Sequence, residues 1–319
     1  MSSQLLDSDD QKRLNHELFP LPEDLKHEYP FDAHFFTTGR GHTLHYIDEG
    51  LNREERPCIL LLHGNPTWSF YFRSIIRNLS QNFRVIALDH INCGLSQRLS
   101  PKVETTLSEH IENAHELIAF LQLKNISLIL HDWGGAIGMG LAQKNPEKIK
   151  SIIAMNTAAF LSRDIPWQIN MLKNSVGLFL IKKYNLFAYP ALFMASQKGL
   201  KPLVKKGMIY PYLKEKNRAQ TAHFVLDIPL KKEHQSFEKL QKIEISLQHF
   251  AQSEIPIKLI WGKKDFCFSM KFYQKWLSFF PNAETFVLDN AGHYLIEDET
   301  EIVNREIECF LNKHFLKQD

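Results

Sequence analysis

Four cysteines in 319 residues are few, and Cys58, Cys93, Cys267 and Cys309 show no CxxC spacing and no histidine at metal-ligand spacing. A disulfide framework and a Cys/His metal centre are excluded as organising devices, so a reduced, metal-free protein without a cofactor is expected. Charge of one sign is also lacking. With 38 Lys and Arg against 36 Asp and Glu, the net charge of +2 gives no reason to expect nucleic acid as a partner. No apolar run approaches the length that crosses a bilayer, and the first ten residues are polar and acidic, unlike a signal peptide. The expectation is a cytoplasmic protein. Repeats and low-complexity runs are missing too, which leaves one large domain with an insertion as the organisation that fits the length.

What is present is an alternation of short apolar runs with helical patterns. Strands are read near His45–Asp48, Cys58–Leu62, Arg84–Asp89, Ser127–His131, Ser151–Met155, Ile257–Trp261 and Glu284–Leu288. The class is therefore α/β, with a mostly parallel sheet covered by helices on both faces. Between Met155 and Ile257 the alternation stops for an interval too long for a bare loop. Residues 160–230 are read as an inserted helical cap, 35–159 and 231–319 as the core, and 1–34 as an N-terminal arm, partly disordered or laid on the surface. Leu172, Val176, Phe179, Phe187, Leu192 and Phe193 are candidates for an apolar tunnel in the cap, or simply pack it onto the main domain. From Ser196 to Lys216 six lysines face one glutamate. Such a run is a solvated face or a surface that meets anionic lipid or an acidic partner enzyme.

Two apolar runs end abruptly in polar, glycine-bearing turns: Leu60-Leu61-Leu62-His63-Gly64-Asn65-Pro66-Thr67-Trp68 and Leu128-Ile129-Leu130-His131-Asp132-Trp133-Gly134-Gly135. Helical spacing starts at once after the second and lasts to Asn145-Pro146, so the unit reads strand, sharp elbow, helix. At that elbow an aspartate, Asp132, stands where a serine hydrolase carries its nucleophile. The pattern wants a small residue two places to either side; Gly134 supplies one, but Leu130 occupies the other. The plain alternative is an aspartate capping the following helix. Its partners favour chemistry. In this order of elements the acid follows the nucleophile and the histidine comes last. Asp265 follows the run Ile257–Trp261, and His293 follows Thr285–Leu288. Asp132, Asp265 and His293 are the candidate triad.

On the His63–Trp68 and His131–Gly135 signatures, the chain resembles an α/β-hydrolase of the haloalkane-dehalogenase branch, from about Phe35 to the C-terminus. The resemblance implies that the Asn65 and Trp133 side chains stabilise the leaving anion and that their backbone amides form an oxyanion hole. Within the branch, Asp89–Ser96, Met155–Phe160, Ile165–Ile169 and Asp227–Leu230 are similar to the β-lactone decarboxylases of bacterial olefin biosynthesis. These convert a cis-3,4-dialkyl oxetan-2-one to a cis-alkene and carbon dioxide. Asn92 stands where a glycine is usual, and Gln97-Arg98-Leu99 replaces Asp-Lys-Pro.

The resemblance implies a hydrophobic small-molecule substrate and a covalent Asp132 intermediate. With a haloalkane this is an alkyl ester that water activated by His293 hydrolyses; attack on a lactone carbonyl would give an anhydride. Asp265 would orient His293. The main alternative is a haloalkane dehalogenase. Epoxide hydrolases share the nucleophile and use cap tyrosines, for which Tyr184, Tyr189, Tyr210 and Tyr212 are candidates. A hydrolase fold used only for binding is the remaining class.

Overall fold

The computed structural model describes residues 21–50, 56–100 and 102–315. One sheet holds β1 (His34–Thr37), β2 (Thr43–Glu49), β3 (Cys58–Leu62), β4 (Arg84–Leu88), β5 (Ile126–Asp132), β6 (Ile149–Thr157), β7 (Ile257–Gly262) and β8 (Glu284–Leu288). The spatial order is β1-β2-β4-β3-β5-β6-β7-β8. β2 runs antiparallel to β1 and β4, and every pairing from β4 onward is parallel. β1 goes beyond the seven strands read from the sequence. At four residues it is too short to show a period, and its hairpin with β2 completes it.

Helices α1 (Glu23–Glu28), α2 (Arg73–Leu79), α3 (Leu107–Phe120) and α4 (Trp133–Lys144) belong to the first half of the chain. Between β6 and β7 lie α5 (Trp167–Met171), α6 (Ser175–Tyr184), α7 (Ala188–Met194), α8 (Pro202–Ile209), α9 (Ala219–Leu226) and α10 (Phe237–Ala251). α11 (Met270–Phe279), α12 (Leu295–Asp298) and α13 (Thr300–Phe315) follow.

The central strands β3 and β5 are buried at every position, as parallel strands covered on both faces must be. Successive side chains alternate between two cores. Leu60, Leu62, Leu128 and Leu130 pack with Ile111, Leu117, Ile137, Ile243 and Trp276 of α3, α4, α10 and α11. Ile59, Leu61 and Ile129 face the other way, onto Ile75 and Ile76 of α2 and Val303 and Ile307 of α13. The sheet is thus the middle layer of three.

Of the expected arm, residues 1–20 lie outside the described residues. The part from Leu21 on is anchored rather than loosely laid. Leu25 is fully buried, and Tyr29 packs against Trp68 with its hydroxyl 2.5 Å from Ser69 Oγ.

The helices between β6 and β7 divide in two. Leu200, Val204, Met208 and Tyr212 join the main core, whereas Ile181, Ala222 and Val225 form a small core of their own, flanked by Ile169, Leu172 and Phe187.

Candidate active site

β5 ends at Asp132, whose φ of 53° lies in the left-handed region that side chains rarely enter, and α4 starts at the next residue. The turn projects the carboxylate from the carboxyl end of the sheet. Sterics around it are exacting. A Cβ at Gly134 would collide with the Leu62 carbonyl, and one at Gly64 with the Asp132 carboxylate itself. Leu130, the departure from the small-residue pattern, is accommodated one turn along the helix: a Cβ at Gly138 would strike the Leu130 side chain. Room taken by Leu130 is thus given back by Gly138.

Asn65, just past β3, donates its backbone N–H to Asp132 Oδ1 at 2.6 Å. The other oxygen, Oδ2, lies 3.6 Å from His293 Nε2. His293 Nδ1 sits 2.8 Å from Asp265 Oδ2; because a carboxylate only accepts, this nitrogen carries the proton and Nε2 is left to face Asp132. Asp265 is held in turn, with the Cys267 N–H donating to Oδ1 at 2.6 Å and Asn156 Nδ2 to Oδ2 at 2.8 Å. The structure brings together all three members of the triad read from the sequence, each nearly buried.

Burial pushes the Asp132 carboxyl up to about 6, with Asp265 adding to the rise. The neighbouring His293 and the backbone N–H groups of Asn65 and Trp133 offset this only in part. For His293, burial disfavours the imidazolium, but the Asp265 carboxylate, by proximity and by its hydrogen bond, outweighs it. Asp132 adds to the effect, and the net shift is upward. At neutral pH Asp132, at about 6, is mostly ionised and faces the His293 imidazole, an arrangement that suits a carboxylate nucleophile.

Asn65 and Trp133 both line the cavity in front of Asp132. The Asn65 side chain also donates to the Thr221 carbonyl at 3.0 Å, which commits one of its two N–H groups to α9. Trp133 packs against Phe224. The cavity, about 210 Å³, has apolar walls that include Phe160, Ile169, Leu172, Phe187, Met194, Val225 and Phe268. Of the tunnel candidates, only Leu172 and Phe187 line it. Leu192 belongs to the main core, and Val176, Phe179 and Phe193 face solvent because helical periodicity turns them outward. Tyr184, Tyr189, Tyr210 and Tyr212 are not among the lining residues, so the structure gives an epoxide no proton donor from that set. Among the described residues no cluster of His, Cys, Asp and Glu is disposed to hold a metal ion.

Two residues with no role assigned from the sequence brace the triad. Asn156, fully buried with φ of 36°, accepts the Gly262 N–H at 2.7 Å while donating to Asp265, tying the end of β6 to the acid loop. His131 Nε2 donates to the His293 carbonyl at 2.9 Å. The signal for each was a polar residue ending a buried apolar strand. Asn92, where a glycine is usual, adopts a φ of 65°, which asparagine tolerates better than most side chains. Its amide accepts the Leu99 N–H and donates to Gln220 of α9, so the substitution fastens the loop to the helices above it.

Residues 57–300 match the family model for the alpha/beta hydrolase fold. A cis-3-alkyl-4-alkyloxetan-2-one decarboxylase of Shewanella oneidensis is 34% identical over 291 residues, covering 89% of either chain. Another decarboxylase of that name, from Xanthomonas campestris pv. campestris, is 32% identical over 90% of this chain and 98% of its own. The crystal structure of a haloalkane dehalogenase from Bradyrhizobium elkani USDA94 superposes with a TM-score of 0.79 at 21% identity, covering 89% of this chain and 98% of that one, and so shares the fold. The chain belongs to the α/β-hydrolase family, alongside these oxetanone decarboxylases.

Proposed function

We propose that the chain is a β-lactone decarboxylase acting on a cis-3,4-dialkyl oxetan-2-one, with Asp132 as nucleophile, His293 and Asp265 completing the triad, and Asn65 and Trp133 stabilising the departing anion. The observation that carries this is Asp132, ionisable at the floor of an apolar cavity, in a chain one-third identical to decarboxylases over most of its length. Attack at the saturated ring carbon balances without any outside reagent. Asp132 displaces the ring carboxylate with inversion, giving an alkyl ester. The freed carboxylate then leaves as carbon dioxide, its C–C electron pair forms the double bond, and the Asp132 carboxylate is expelled. Inversion followed by anti elimination returns the cis-alkene. Attack at the carbonyl instead gives an anhydride and an alkoxide, which must close again before that oxygen can leave with the carbon dioxide. His293 holds Asp132 ionised and oriented, and Asp265 fixes the ring of His293.

Residues 160–230 serve as the cap that excludes water from the elbow and shapes the cavity, with 35–159 and 231–319 as core. Localisation is read as cytoplasmic, with peripheral contact to a membrane or partner enzyme through the basic cap. Among the described residues no helix is long and apolar enough to cross a membrane. The dehalogenase reading shares the first step, since displacement at saturated carbon is the same chemistry with halide leaving. Gas chromatography of the alkene from a long-armed cis-lactone, set against bromide release from bromohexane, decides between them. Alkene formation much faster than debromination supports the proposal, and rapid debromination without alkene overturns it.

A further inference from the structure

Trp167, Met171, Val176, Phe179, Tyr184 and Phe193 are each more than half exposed, and they come from the consecutive helices α5, α6 and α7. Single apolar residues on a surface are ordinary; six within so short a stretch make a patch that marks an interaction. Leu186 and Met194 are exposed and also line the cavity, so its mouth opens within the patch.

Charge surrounds this surface asymmetrically. Residues 165–217 hold nine lysines against one acidic residue, Glu215, while the whole chain carries only +2, so the remainder is net acidic. Lys183, Lys198 and Lys206 pair with Glu215, Glu299 and Asp24, and even with these carboxylates counted the local balance is six positive charges. Lys205 Nζ lies 4.2 Å from the centre of the Phe193 ring. Lys183 follows Val176 and Phe179 at helical spacing and shares their face. Aromatic and aliphatic side chains interleaved with lysines match the headgroup region of an anionic membrane, where rings enter the interface and ammonium groups meet phosphates.

We propose that this face docks on an anionic phospholipid bilayer, with Trp167, Val176 and Phe179 entering the headgroup layer and the cavity mouth turned toward the lipid. The inference deepens the functional reading above, because a substrate with long alkyl arms partitions into the bilayer and reaches an apolar cavity from there. A second copy of the chain fits this face less well: it would set lysine against lysine and close both mouths.

Trp167 reports the docking directly. It is 67% exposed, whereas Trp68, Trp261 and Trp276 are fully buried and Trp133 is partly so. With the full chain and phosphatidylcholine vesicles containing phosphatidylglycerol, we expect co-sedimentation, a blue-shifted Trp167 emission and quenching by brominated acyl chains. High salt should release the protein. Lys183→Gln with Lys205→Gln should lower partitioning about tenfold or more. Trp167→Ser, Val176→Ser and Phe179→Ser together should abolish sedimentation while circular dichroism and turnover of detergent-dispersed lactone stay unchanged. Failure to sediment with anionic vesicles overturns the proposal. So does a concentration-dependent dimer that the triple serine variant dissolves, which would assign the face to a second copy. The vesicle measurements need no turnover. Intact docking without any alkene product would therefore remove the decarboxylase reading and leave this one standing.

Discussion

Strand β5 and helices α5 to α7 are both rich in apolar side chains, yet β5 is buried at all seven positions while the helices present Trp167, Val176, Phe179 and Phe193 to solvent. The contrast separates two jobs. β5 is held by strands on both sides and by a core on each face, which over-determines the unusual backbone of Asp132 and absorbs its strain. α5 and α6 rest on the small core of Ile181, Ala222 and Val225, and α7 meets the main core only through Ala188, Ala191 and Leu192. Chemistry is fixed where packing is dense; cavity shape and surface are set where it is thin.

The largest effect should come from the dense region. Asp132→Asn matches the carboxylate in shape but cannot form the covalent bond, so turnover should fall by at least about four decades, measured on fresh protein with deamidation excluded by mass. Stability should move the other way. The folded carboxyl titrates at about 6, above its unfolded value near 4, so its contribution to stability is full below about pH 4 and is lost as the pH rises through about 6. Asp132→Asn should therefore unfold later than wild type at pH 8, by up to about 3 kcal/mol, and show no advantage at pH 4. A variant less stable at pH 8 would contradict the strained, desolvated carboxylate described here.

Asp265→Asn tests the next layer outward. Dehalogenation needs a base for the water step, so bromide turnover should drop by as much as about four decades, the precedent from serine proteases. Lactone decarboxylation by the saturated-carbon route has no hydrolytic step and should lose much less. Equal losses in the two assays would point to a hydrolytic step in both. In either assay the acid limb of the pH profile should lie near 6 in wild type, because protonated Asp132 cannot attack.

The same contrast explains what could be read in the sequence. The grouping of Asp132, Asp265 and His293 was legible because each ends or follows an apolar run, and the ends of parallel strands converge in space. Asn156 and His131 stand at such ends too, but they bond to Asp265 and His293 and do not line the cavity, so residue type alone gave them no role. The accommodation of Leu130 by Gly138 depends on two elements crossing, which no local pattern shows. In the segment beyond β6, apolar content alone did not separate the wall-formers Leu172 and Phe187, which lie at the junctions between α5, α6 and α7, from the outward-facing Val176, Phe179 and Phe193 on the helices themselves. Which side meets the cavity depends on how short helices are rolled against the core, and their own small core constrains that weakly.

The Leu130–Gly138 contact supplies a sharper, mid-sized test. Gly138→Ala should destabilise by about 1–3 kcal/mol, since its methyl would enter space filled by the Leu130 side chain. Leu130→Ala alone opens a cavity and should cost about 2–5 kcal/mol. Combined, they should cost less than the sum of the single losses, a coupling readable from denaturant midpoints in a double-mutant cycle. Strict additivity would mean that Leu130 and Gly138 do not share the space.

The smallest effect closes the comparison between the two regions. Ile129, fully buried in β5, packs in the core with α2 and α13, and its replacement by alanine should cost about 2–5 kcal/mol. Val176 is also β-branched and apolar, but it is 65% exposed, and Val176→Ser should change stability by no more than about 0.5 kcal/mol. Serine and valine differ little in helix preference, so what is measured is burial. The pair is read from urea midpoints at unchanged m-value. A cost above about 1 kcal/mol at Val176 would mean that the outer helices are packed against something in solution, such as a second copy, and that their apolar face is not free for lipid.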